Sequence, residues 1–68
     1  MKELKTIIKQ ELRGNESIWI TTDKKLNSSL KDWWKFDEYK LSEIIGAFTG
    51  KEKVKKYWHE EGLFIILK

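Results

Sequence analysis

The sequence predicts an α+β fold, a small and mostly helical single domain over residues 1–68 with a two-stranded sheet, in the order α-β-α-α-α-β. Three observations lead there. Residues 2–13 place apolar side chains at helical spacing. Residues 17–22, Ser-Ile-Trp-Ile-Thr-Thr, are β-branched and aromatic, as strands are. Residues 63–67, Leu-Phe-Ile-Ile-Leu, form an unbroken apolar run of strand length.

Composition bounds the function classes. A chain of 68 residues holds one core, and 40% hydrophobic with 37% charged residues belongs to a folded chain. A core of this size rarely supplies more than about 3–5 kcal/mol, so the four tryptophans or self-association are the expected reinforcement. The absence of cysteine excludes disulfides and thiolate metal sites and suits a cytoplasmic location. No run approaches the ~18–20 apolar residues of a membrane span, and the N-terminus lacks a signal-peptide core. A net charge of +3 permits nucleic-acid contact without demanding it.

In the first helix, Leu4, Ile7, Ile8 and Leu12 share one stripe, with Lys2, Lys5, Lys9 and Arg13 largely off it, and Gly14 ends it. In the strand that follows, alternation sets Ile18 and Ile20 on one face and Trp19 on the other, and its cheapest partner is the C-terminal apolar run. Residues 24–48 fit either one helix or two. A single helix buries Asp37 on its apolar face. A break at Phe36–Asp37 makes Asp37 an N-cap and lets Phe36 staple onto Leu41. Two helices are favoured. Trp33 and Trp34 are then core residues or, since tryptophan is enriched at interface hot spots, anchors for another protein.

Residues 49–61 read as the last helix. Thr49 and Glu52 match a capping box, Val54, Tyr57 and Trp58 follow at helical spacing, and Gly62 stands at the stop. Its charges oppose the helix dipole, with Lys51 and Lys53 in the first turn and Glu60 and Glu61 in the last. Free N–H groups beside Thr49 with Lys51, Lys53, Lys55 and Lys56 would make an anion site for phosphate. The alternative is a solvated face laced by pairs such as Glu52–Lys56 and Lys56–Glu60.

Residues 41–66, Leu-Ser-Glu-Ile-Ile-Gly through Glu-Glu-Gly-Leu-Phe-Ile-Ile, resemble the winged helix-turn-helix DNA-binding superfamily. The resemblance implies a supporting helix over 39–48, a recognition helix over 51–61 that turns into the wing, and a first strand at Ile18–Ile20. It also implies a small cytoplasmic regulator that binds nucleic acid. With a single histidine, no cysteine, no Gly-rich phosphate loop and no zinc spacing, the sequence predicts no catalytic residue, metal, cofactor or small-molecule substrate. The competing expectation is a non-enzymatic protein-binding inhibitor or adaptor using Trp19, Trp33 or Trp34. Phe64 and Ile66 join these as interface candidates, because an apolar strand with one neighbour leaves an open edge for a second copy or a partner strand.

Overall fold

The computed structural model describes residues 2–22 and 34–68. Its elements are α1 (Leu4–Glu11), β1 (Ile18–Thr21), β2 (Asp37–Tyr39), α2 (Leu41–Ala47), β3 (Val54–His59) and β4 (Leu63–Leu67). The strands form one mixed sheet ordered β2-β1-β4-β3, with β1 parallel to β4 and each outer strand antiparallel to its neighbour. The fold is therefore α+β, but the mostly helical domain with a two-stranded sheet is overturned. Two helices and four strands stand among the described residues.

The main correction concerns residues 49–61. No helix forms there, so the recognition helix and its free N-terminus do not exist. Residues 54–59 are β3, and residues 60–62 turn the chain into β4. Valine, tyrosine and tryptophan suit a pleated, half-buried surface, and a strand carries no macrodipole for the reversed charges to oppose. A bulge between Val54 and Lys56 explains the helix-like spacing. It sets Val54 opposite Leu67 and Tyr57 opposite Ile65, so two residues three apart face the same side of the sheet. Trp58 consequently lies on the other side, away from Val54 and Tyr57, and is half-buried.

One face of the sheet is aliphatic and covered by the helices. Leu4, Ile7 and Ile8 of α1 and Ile44 of α2 pack on Ile18, Ile20, Val54, Leu63, Ile65 and Leu67, with Leu12, Tyr39, Phe48 and Tyr57 around them. The expected stripe of the first helix is thus the buried one, and burial of each such side chain stabilises by about 1.5–3 kcal/mol before entropy is counted. The other face is aromatic. Trp19, Phe64 and Trp58 stand directly opposite one another across β1, β4 and β3, with centroids 5.5 Å apart at both steps and planes within 5° and 15°. Phe36 meets Phe64 and Trp58 edge-on at 5.3 and 5.8 Å. Such ring pairs are worth about 0.5–1.5 kcal/mol each beyond area burial.

β4 is central and buried at all five positions, which accounts for its unbroken apolar run. The pairing of residues 18–21 with it agrees with the sequence reading. The open edge does not, because β3 supplies the second neighbour. Phe64 and Ile66 are core residues, 3% and 0% exposed, and are withdrawn as interface candidates together with a dimer built on this strand. The true edges are blunted. β2 is three residues long with exposed Asp37 and Glu38, while β3 carries lysines and a bulge. Asp37 is a strand residue, and the N-cap of α2 is Lys40, whose N–H donates to Glu43 Oε1 at 2.8 Å. Trp19 is half-buried in the aromatic row and Trp34 is exposed. Trp33, and residues 24–33 of the helix expected before the break at Phe36–Asp37, lie outside the described residues.

Candidate functional site

The loop that precedes β3 carries the sequence-predicted site, and its own carboxylate organises it. Glu52 Oε2 accepts the Thr49 N–H at 3.0 Å, and Glu52 Oε1 accepts the Gly50 N–H at 2.8 Å and the Thr49 hydroxyl at 3.1 Å. The Thr49 hydroxyl oxygen in turn accepts the Lys51 N–H at 3.1 Å. Burial raises the Glu52 pKa, and the bonds from the backbone at Thr49, Glu52 and Gly50 and from the Thr49 hydroxyl outweigh it, so the net direction is down. The amides expected to receive a phosphate already hold this carboxylate. The Thr49–Glu52 pair is real, but it does not start a helix of its own.

It serves α1 instead. Leu4 N–H donates to Glu52 O at 2.7 Å and Lys5 N–H to Gly50 O at 3.0 Å, satisfying two first-turn donors that a helix leaves unbonded. Gly50 takes φ +88° here, and a Cβ placed on it would stand 3.2 Å from the Lys5 Cβ. The chain is further tied by Val54 N–H to Lys2 O, 2.9 Å, and Lys68 N–H to Lys53 O, 2.8 Å.

These backbone bonds gather lysines from three parts of the chain at one end of the sheet. Lys2 and Lys5 come from the start of α1, Lys51, Lys53, Lys55 and Lys56 from the loop and β3, and Lys68 from the end of β4. All seven are exposed. Among the described residues, these seven lysines with Glu3 and Glu52 sum to a formal +5, against +3 for the whole chain. Both glutamates are engaged. Glu3 pairs with Lys5 at 3.8 Å and Lys53 at 3.7 Å, and Glu52 is held in its loop. Lys2 Nζ donates to Gln10 Oε1 at 3.1 Å. Lys2, Lys55 and Lys56 border a shallow cleft of about 300 Å³ that Tyr57 also lines.

The four lysines read from the sequence are therefore brought together, by a loop and strand in place of a helix. Lys2, Lys5 and Lys68 were missed as partners of that cluster. No local signal joins them to it, because only the pairing of β3 with β4 and of the loop with α1 does so.

The opposite end of the sheet is built differently. His59, within the stretch read as the last helix, is a β3 residue with a mostly buried side chain. Its Nε2 lies 3.3 Å from Glu11 Oε1 and its Nδ1 3.6 Å from Glu16 Oε1. Glu16 Oε1 also accepts the Arg13 N–H at 2.8 Å. Among the described residues no group of three His, Cys, Asp or Glu side chains is arranged to take a metal ion, and no helix is long and apolar enough to cross a membrane.

No protein-family model, curated protein or solved structure matches the chain. The resemblance to winged helix-turn-helix proteins gains nothing from these comparisons, and the strand at 54–59 removes the helix on which it rested.

Proposed function

We propose that this chain binds nucleic acid through its lysine end, gripping the phosphate backbone without reading bases. The observation that supports this is the convergence of seven lysines on one end of the sheet, where Glu3 and Glu52 are already engaged. Counterion release on neutralising phosphates supplies affinity without sequence preference. The residue type fits that role. Lysine is a point charge on a flexible stem, whereas base reading and bidentate phosphate clamps favour arginine. A membrane surface is a poorer fit, since binding there needs apolar side chains beside the lysines. Among the described residues the exposed large apolar side chains are Trp34, Leu41 and Ile45, none of them in the loop or strand that carries the cluster.

Lys51, Lys53, Lys55 and Lys56 are the principal phosphate contacts in this reading, and Thr49 shapes the loop that presents them. Fluorescence anisotropy with a random-sequence DNA duplex at low salt tests it. Binding should be independent of duplex sequence, and Lys51→Ala, Lys55→Ala and Lys56→Ala together should weaken it by about tenfold or more. A parent protein that leaves the duplex free at low salt, or a triple variant that binds as the parent does, contradicts the proposal.

A further inference from the structure

The cleft between α1 and α2 stands apart from the lysine loop and rests on a different observation. Ile8 of α1, Leu12 just after it, and Leu41 and Ile45 of α2 line a groove of about 420 Å³. Ile45 is 81% exposed and Leu41 52% exposed, although both are large and apolar. They are four apart on α2, so they share one face of the helix. Scattered apolar residues on a surface need no explanation, but a contiguous groove of them does. Its charged lining is of one sign, Lys5 and Lys9, both on the α1 wall.

We infer that this groove docks an amphipathic helix of another protein, one that presents an apolar stripe flanked by carboxylates. The apolar floor asks for side chains at i, i+3, i+4 and i+7, the mode in which helices enter grooves. The two lysines, one turn apart on α1, then meet acidic residues beside that stripe and set its orientation. A second copy of this chain fits less well. A two-fold contact through the groove brings the Lys5 and Lys9 pairs of both copies to a shared rim. Glu3, 3.8 Å from Lys5, offsets only part of that charge.

The test uses two synthetic helical peptides of equal length and equal leucine pattern, one flanked by glutamate and one by lysine. Titration into the isotope-labelled full chain, followed by amide chemical shifts, should move Ile8, Leu12, Leu41 and Ile45 with the glutamate peptide. The lysine peptide should bind about tenfold more weakly or worse. Ile45→Glu, at a position too exposed to matter to folding, should abolish the shifts, and Lys9→Glu should remove the peptide preference. The inference is overturned by shifts that fall outside the groove, by a glutamate peptide that does not bind, or by equal binding of both peptides. It is overturned equally by a parent that sediments as a dimer and that Ile45→Glu converts to monomer, which assigns the groove to a second copy. Lys51, Lys55 and Lys56 take no part in these outcomes, so the groove and the phosphate surface succeed or fail separately.

Discussion

At the end of the sheet where β3 turns into β4, Glu11 and Glu16 enclose His59, and the turn itself depends on one glycine. At the other end, seven lysines surround a loop whose geometry is fixed by Glu52 and by main-chain bonds to α1. In the first region the polar side chains are mortar between elements. In the second the backbone bonds and one carboxylate do that work, and the lysines around them are exposed. The comparison breaks if substitutions at the two ends have similar effects on stability, and it sharpens as those effects separate.

The largest effect is expected at Gly62. Its φ is +141°, and a Cβ there would stand 2.8 Å from Ser17 O and 3.1 Å from Trp19 Nε1. Neither the turn nor the β1–β4 pairing can yield without losing the Leu63 N–H to Ser17 O bond, 3.0 Å. Gly62→Ala should cost about 2–4 kcal/mol, most of what a domain this small holds. Urea denaturation monitored by tryptophan fluorescence measures it, and a midpoint shift of less than a third of that size would show that the turn relaxes.

Glu52→Gln comes next, at about 1–2 kcal/mol, because an ionised acceptor for two backbone N–H groups becomes a neutral amide. The sign of its pH dependence follows from the lowered pKa. The folded carboxyl titrates below its ordinary value of 4.5, so its contribution is fully present above that value and is lost as pH falls through the folded pKa. The parent should therefore lose more stability than Glu52→Gln when both are acidified below pH 4.5. Parallel pH profiles would remove Glu52 from its structural role.

How much of this was legible follows from which patterns survive translation into structure. The Leu4, Ile7, Ile8 stripe and the Ile18, Ile20 alternation were readable because each element keeps one undisturbed period. The run at residues 63–67 was readable as a strand with β1 as one neighbour, but β3 as the other was not, and β2 is Asp-Glu-Tyr, with no strand pattern, held by its pairing with β1. Residues 49–61 misled through two coincidences. A bulge gave β3 the three-residue apolar spacing of a helix, and a Thr–Glu pair of capping-box form stabilised a loop that caps a different helix. The reversed charges, and the valine and aromatic content, were the signals that pointed to a strand. The lysine cluster was half visible, because its members from residues 51–56 are adjacent in sequence and the others join only through topology.

The smallest stability effect is expected for the lysines. Lys51→Ala, Lys55→Ala and Lys56→Ala should each change folding stability by less than about 0.5 kcal/mol, as exposed sites do. Thermal melts of the three single variants and the triple variant check this. A loss comparable to that of Gly62→Ala would make the lysines part of the frame.

The most direct test is the salt dependence of duplex binding by the parent and the triple lysine variant, with both shown to be folded. The account predicts a linear fall of log K with log salt in the parent. The magnitude of that slope should drop by about 0.9 for each phosphate contact removed, so by roughly 2–3 in the triple variant. A parent slope near zero, or the same slope in both proteins, would contradict the claim that this end of the sheet is a phosphate-binding surface.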